Sequence, residues 1–377
     1  MEVVKPVKRN VLLNPGPATT TDTVKYAQVV PDICPREQEF VDLMTEVRKD
    51  LVKVVHGDPE KYTAVIFSGS GTIIQDVLVN SLVPANKKIL VVNNGAYSAR
   101  IAEIAEYYGI PCVNLQFPNT GLADLKLVKE ALDKDKDIAV VATVHHETGT
   151  GILNPAKEIG KLAHDHGCIF ILDTISTYGL IPIDIEDMNV DFLMSSAQKG
   201  LAAMTGASWT VGNKKEIEKS KDYPKRSYYC NLFMQYDYFE KVGEMHFTPP
   251  VQTIYALRQA IKEYWEEGEQ ARWARLTKCW EAIHKGMEEM GLDSVIDKKL
   301  QGHLVVTIKA PDDPKFDFFK LHDYCYERGF TIYPGKMFGL KTFRLCNLGV
   351  ITHKDIEDFF VVAKEAFKNM GLALPVK

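Results

Sequence analysis

Four groups in this 377-residue chain carry side chains suited to chemistry rather than to filling a core. The first is SGSGT (68–72), which follows the apolar run AVIF and opens a helical pattern. Free N–H groups and the dipole at a helix start suit a phosphate. The loop is neither a Walker A loop, since no Gly-Lys-Ser/Thr follows, nor a dinucleotide fingerprint, since a third glycine is missing. Taken alone it is equally a tight turn. The second is Asp173, closing the run CIFILD at a strand end, where ligands bind in α/β sheets. A helix cap or a solvated strand end fits that acid as well. The third is Lys199 in DFLMSSAQKG (191–200), 26 residues after Asp173 and also behind an apolar run. By itself it reads as a solvated loop lysine. The fourth is Arg344 in FRLCN. An arginine in apolar surroundings must find an anion, either an internal carboxylate or a ligand.

The combination is more specific than its members. A phosphate cradle, a strand-end acid, a strand-end lysine and a distant arginine are the parts of a pyridoxal 5'-phosphate enzyme. The lysine amine forms a Schiff base with the aldehyde. The acid keeps the pyridine nitrogen protonated, so that the ring accepts electrons. The arginine takes a substrate carboxylate in a bidentate fork. An aromatic ring should cover the cofactor face, and Tyr97 in NNGAYSAR stands behind the run KILVV, although a core tyrosine fits there too.

These groups need a scaffold that brings strand ends together. The apolar runs AVIF (64–67), KILVV (88–92), DIAVVATV (137–144), CIFIL (168–172), VDFLM (190–194) and ASWTV (207–211) are too apolar for strands with one wet face. Amphipathic stretches such as IIQDVLVNSLV, SARIAEIAEYYG and PAKEIGKLAHDHG lie between them. The alternation predicts an α/β fold: a mostly parallel sheet sandwiched by helices. From residue 255 the pattern changes. A helical stretch to Gly291, a strand in HLVVTIKAP, a helix in FDFFKLHDYCYERG and a last helix in KDIEDFFVVAKEAFKNMG predict a smaller C-terminal α+β domain. The expected division is an N-terminal arm over 1–13, a large cofactor-binding domain over 14–272 and a small domain over 273–377.

A formal net charge of -5 gives no basic surface for nucleic acid, and no partner of that kind is expected. No run approaches ~18 uninterrupted apolar residues, so no membrane span is expected. Seven scattered cysteines without a C-x-x-C pair suggest free thiols in a reducing compartment, and a cytoplasmic location is expected. His145-His146-Glu147 lacks a third ligand at fixed spacing, and no metal is expected. His164 and His166 read as surface or capping residues, and Arg36 as half of a surface ion pair. The aromatic run 226–239 suits a subunit interface or the substrate mouth.

The segments NPGPATTT (14–21), DICPRE (32–37), SGSGT, NNGAYSAR, HHETGTG (145–151), ILDTIS (171–176), SSAQKG, HFTPP (246–250), GFTIYPGK (329–336) and FRLCNLG (343–349) occur in an order and spacing that resemble the fold type I, class V aminotransferases over nearly the whole chain. The resemblance implies Lys199 as the Schiff-base lysine and Asp173 as the partner of the ring nitrogen. It implies Ser70, Gly71, Thr72 and Gln198 at the phosphate, Thr148 near the ring hydroxyl and Tyr97 stacked on the ring. Thr248 would reach the phosphate of a neighbouring subunit, so a homodimer with shared sites is implied. Arg344 would hold the substrate anion. GFTIYPGK followed by FRLCNLG favours the branch that passes an amino group from 2-aminoethylphosphonate to pyruvate, the alternative being an alanine:glyoxylate or serine:pyruvate enzyme. Lys199, Asp173 and Arg344 together argue against a relative that has lost catalysis. The chain departs from the family pattern at Ile74, Gln75, Gln198 and Cys346.

Overall fold

The computed structural model describes residues 6–335 and 339–376. Its centre is a seven-stranded sheet built from β1 (Tyr62–Gly69), β2 (Lys88–Asn93), β3 (Cys112–Gln116), β4 (Ile138–Val144), β5 (Ile169–Asp173), β6 (Phe192–Ser196) and β7 (Gly206–Asn213). The order across the sheet is β1-β7-β6-β5-β4-β2-β3. β7 runs antiparallel to both of its neighbours, and every other pair is parallel. The β-branched runs in β2 and β4 are buried on both faces, as strands between two helical layers must be. The helices that cover them include α1 (Gln38–Lys53), α2 (Thr72–Leu82), α3 (Ala96–Tyr107), α4 (Leu125–Lys134) and α5 (Ala156–Asp165).

The register sets the site. Val144 pairs with Asp173 and Asp173 with Met194, so β4 and β5 end at one level and β6 runs on past it to Ser196. Because β7 is reversed, its first residue, Gly206, stands at that same edge, opposite Gly69 at the end of β1. The carboxyl ends of the six like-directed strands and the start of the reversed one therefore meet along one rim, the place where open α/β sheets hold ligands.

α6 (Leu232–Val242) and α7 (Val251–Glu267) complete the large layer, and α8 (Glu269–Met290) leads away from it. The single helical stretch expected from 255 to 291 is two helices. Gly268 takes φ +81° and ψ 143°, which ends one helix and starts the next, a conformation that a glycine adopts freely. Glu267 bridges the break by accepting from Arg272 Nε at 2.7 Å and Arg275 Nε at 2.6 Å.

Beyond α8 a three-stranded antiparallel sheet forms from β8 (Val305–Lys309), β9 (Tyr333–Pro334) and β10 (Thr342–Cys346), with β10 in the middle. α9 (Phe318–Glu327) and α10 (His353–Asn369) pack with α8 around it. A separate apolar cluster fills this unit, and Val11 and Leu13 belong to it. Val11 and Leu12 pair in parallel with Phe330 and Thr331, so the N-terminal segment joins the C-terminal unit. Among the described residues no helix is long and apolar enough to cross a membrane.

Candidate active site

A cavity of about 240 Å³ opens at the strand rim, walled by Gly16, Pro17, Ser70 to Thr72, Gln75, Tyr97, Arg100, Ile175, Gln198, Lys199 and Thr205. Each strand end supplies one part. Ser70, Gly71 and Thr72 turn from β1 into α2; Ile73 and Ile74 N–H donate back to Ser70 O at 2.9 Å and Gly71 O at 3.0 Å, and no side chain caps the helix start. A Cβ on Gly71 would stand 2.8 Å from the Ile175 side chain, so the loop approaches the turn after β5 as only glycine permits.

Lys199 follows β6 in a tight turn: Ala202 N–H donates to Lys199 O at 3.0 Å and Ala203 N–H to Ala197 O at 2.9 Å. Arg272, almost fully buried, donates to Gly200 O at 3.1 Å and ties α8 to this turn. Lys199 Nζ donates to Pro15 O in the NPGP segment. Burial lowers the Lys199 pKa against the opposing pull of Cys346 and Asp173, and the Arg344 and Arg100 charges add smaller lowering contributions. A lowered pKa enlarges the neutral, nucleophilic fraction of the amine.

Asp173 ends β5 with 3% of its surface exposed. Its Oδ1 accepts from Ile175 N–H at 2.9 Å and its Oδ2 from Gln75 Nε2 at 2.7 Å. Burial pushes its carboxyl up to about 6, against the pull of those two donors, Lys199 and Arg100. A carboxylate held in so dry a place gains when a cationic group arrives beside it.

Tyr97 is the second residue of α3 and half-buried, with the Arg100 guanidinium 5.0 Å from its ring centre. The α3 start is held by Glu147, whose carboxylate accepts from Tyr97 N–H at 3.1 Å and Ser98 N–H at 3.3 Å. That assigns Glu147 a structural partner. His145 and His146 beside it bond to Thr177 Oγ1 and Ser176 Oγ, and burial pushes their pKa values down to about 4 and about 3, which makes both rings neutral. His146–Glu147 pairs antiparallel with Ile152–Leu153 in a short hairpin after β4, and Thr148 in its turn is buried and offers its carbonyl to Arg344 Nη1 at 3.1 Å.

Arg344 sits in the middle of β10 with 1% exposed. Its Nε and Nη2 donate to Pro334 O at 3.3 and 3.2 Å, and the Tyr333 ring lies 5.6 Å away. Among the described residues no ion pair compensates its charge. Of the two anions open to a buried arginine, the internal carboxylate is therefore not supplied by them; neither Arg344 nor Thr148 belongs to the cavity wall that holds Lys199. Thr248 lies apart from this chain's cavity wall: it is exposed, and Ser68 Oγ reaches its carbonyl at 3.5 Å. Arg36 pairs with Glu244, and His164 with Asp191 at 2.8 Å. Of the aromatic run, Tyr228 and Tyr229 remain exposed, and Tyr229 stacks on Phe247 with centroids 4.7 Å apart.

A fold of this outline with a buried lysine, a buried acid and a helix start on one cavity has relatives. The family model described as Aminotransferase class-V matches residues 21–328. The chain belongs to the class-V aminotransferases. The fold is fold type I, and the cavity lies where that architecture gathers its strand ends. A 2-aminoethylphosphonate--pyruvate transaminase of Bacillus cereus (strain ATCC 14579) is 37% identical over 92% of this chain and 94% of its own. A bifunctional phosphonoacetaldehyde hydrolase/aminoethylphosphonate transaminase of Clostridioides difficile (strain 630) is 36% identical over 92% of this chain, which spans only 55% of that longer protein. Among solved structures, an alanine--glyoxylate aminotransferase from Nostoc sp. superposes with a TM-score of 0.88 at 24% identity, covering 97% of this class-V chain and 98% of the other. A pyridoxamine-pyruvate aminotransferase from Mesorhizobium loti gives 0.88 at 22% identity, over 99% and 96%.

Gly16, Pro17, Gln75, Arg100, Ile175 and Thr205 belong to the cavity wall but were not singled out by residue type and spacing. Gln75 appeared only as a departure from the family pattern. Arg100, three residues after Tyr97, needed only the helical period to be placed on the same face. Gly16 lies in the quoted NPGP segment, but nothing local ties it to a lysine 183 positions on.

Proposed function

We propose that this class-V aminotransferase uses pyridoxal 5'-phosphate to pass the amino group of 2-aminoethylphosphonate to pyruvate, giving phosphonoacetaldehyde and L-alanine in a ping-pong cycle. One observation carries the reading: Lys199, Ser70 to Thr72, Tyr97 and Gln198 wall one cavity, and the Asp173 carboxylate is bonded to its wall through Gln75. The fit to the cofactor rests on the same atoms. The Gln198 side chain has a buried Oε1 without a partner, and the cavity wall joins an amine to a helix start, with Asp173 one hydrogen bond behind it through Gln75. The names of the relatives at 33–37% identity support the choice of substrates.

When bound, the cofactor supplies an aldehyde for the amine and a ring that accepts the electrons of a broken C–H bond. Lys199 Nζ would hold that aldehyde, and its buried amine of lowered pKa would serve as the base that moves the proton of the substrate carbon. Asp173 keeps a proton on the ring nitrogen by pairing its charge. Ser70, Gly71, Thr72 and Gln198 hold the phosphate, with Thr248 of a second copy in a homodimer. Tyr97 would cover one face of the ring, and Thr148 would serve the ring hydroxyl. Arg344 trades its carbonyl contacts for the carboxylate of pyruvate or alanine, and for the phosphonate of the donor. Both substrates are small anions, and an arginine without a described carboxylate partner suits each. The large domain is taken as 14–272 and the small one as 273–377, which the separate apolar clusters support.

The test is a panel of amines with pyruvate as acceptor, read by alanine formation. 2-Aminoethylphosphonate should be the best donor. Alanine formed from L-serine but not from 2-aminoethylphosphonate would reject the substrate assignment and leave the family untouched.

A further inference from the structure

Gln75 is a polar side chain in a place built for apolar ones. Its α2 neighbours Ile74, Val77 and Leu78 are all completely buried, and so is Gln75. A leucine would fill that position without leaving a polar group to satisfy. The amide has one close partner, Asp173 Oδ2 at 2.7 Å, while Tyr97 O lies at 3.5 Å and Oε1 has no partner in the protein. The other carboxylate oxygen takes the Ile175 N–H at 2.9 Å. Each oxygen thus receives one fixed donor, one from a helix and one from the turn after β5. Two rigid anchors set the carboxylate plane, and further lone pairs stay free for a third donor.

We propose that Gln75 is a positioning residue for Asp173: its amide holds the carboxylate ionised and oriented toward the ring nitrogen of the cofactor. This rests on the reading of the cavity as a pyridoxal phosphate site. Nε2 can only donate, so the observed amide orientation favours an acceptor oxygen and disfavours a proton on it. A stabilised carboxylate in turn leaves the shared proton on the ring nitrogen. The other charged groups that act on Asp173 are Lys199 after β6, Arg100 on α3 and Glu147 in the hairpin after β4. His145, whose N–H bonds to Asp173 O, carries a neutral ring.

The experiment compares the wild-type chain with Q75L and Q75E, each stripped of cofactor and titrated with pyridoxal phosphate from about pH 5.5 to about pH 8.5, with quenching of intrinsic fluorescence as the readout. Losing the donor raises the pH at which Asp173 ionises, so the acid limb of the affinity profile should move up in Q75L. Binding should weaken on the order of tenfold near pH 6 and change little near pH 8. Q75E places a second carboxylate beside the first and should move the limb further. In turnover, kcat should fall while KM for pyruvate stays. Profiles of both variants that superimpose on the wild type overturn the proposal. If Q75L does not fold, Q75E, which keeps size and polarity, decides it alone. A wild-type chain that fails to bind pyridoxal phosphate at every pH rejects the cofactor reading itself, and Gln75's role with it.

Discussion

Gly16 lies against the side chain of Lys199 so closely that a Cβ would stand 2.6 Å from Cδ, 2.7 Å from Cε and 2.9 Å from Nζ. Gly16 also has φ +117°, a region that L side chains rarely adopt. The NPGP segment therefore acts as a lid over the lysine stem, anchored by Pro15 O accepting from Nζ and by Ala18 N–H donating to Gln198 O at 2.9 Å. Gly16→Ala should cost roughly 1–3 kcal/mol in backbone strain alone and displace the amine. Thermal unfolding of the cofactor-free chain, with cofactor loading measured beside it, checks this. An alanine variant that matches the wild type in both would show that the segment gives way without consequence.

Asp173 should make the cofactor-free protein pay in stability for its function. Its folded-state pKa of about 6 lies above the unfolded value near 3.8, so the folded state holds the extra proton between the two. Stability falls as pH rises through that window, and above it the buried charge costs roughly 2–3 kcal/mol. Asp173→Asn removes the charge, and Gln75 can turn its unpartnered Oε1 to the new amide. The variant without cofactor should be more stable than the wild type at pH 8, with the gap narrowing below about pH 6 and gone below about pH 4. Its turnover should drop by several orders of magnitude, since a neutral amide no longer holds the ring-nitrogen proton. Urea unfolding at both pH values measures the first effect, and steady-state rates the second.

Arg344 should govern substrate anions and leave the cofactor alone. A charge-assisted bond to a carboxylate is worth about 1.5–3 kcal/mol, which corresponds to ~10–100-fold in kcat/KM for each bond lost. Arg344→Gln should lower kcat/KM for pyruvate by that factor or more, chiefly through KM, while affinity for pyridoxal phosphate stays within a few-fold. A variant with unchanged pyruvate kinetics would reassign the arginine to the structural role that its bonds to Pro334 O and Thr148 O describe.

Much of the scaffold was legible because two-sided burial writes itself into composition. The runs that became β1, β2, β4, β5, β6 and β7 are short and apolar, and the residues that follow them fall on one rim by topology. That is why the apolar runs place Asp173 at a strand end and Lys199 just after one. The reversal of β7 was not legible, because periodicity carries no direction, and it is this reversal that brings Thr205 to the cavity. Gln75 was hidden for a different reason: one polar residue in an apolar helix face gains its meaning only from the acid across the sheet. Gly268 was visible in the helical stretch, yet a single glycine costs a helix only ~1 kcal/mol and does not by itself announce a break.

The central claim is that Lys199 holds the cofactor and that 2-aminoethylphosphonate discharges it. The direct measurement loads the wild-type chain and Lys199→Ala with pyridoxal phosphate, adds 2-aminoethylphosphonate without pyruvate, and follows the visible absorbance of the bound cofactor together with the aldehyde released. The wild type should bleach in a single turnover and release about one equivalent of phosphonoacetaldehyde per site, with L-alanine bleaching it equally as the product of the other half-reaction. Lys199→Ala should release none. A wild type that keeps its absorbance with 2-aminoethylphosphonate, or a Lys199→Ala chain that turns over as the wild type does, would contradict the account.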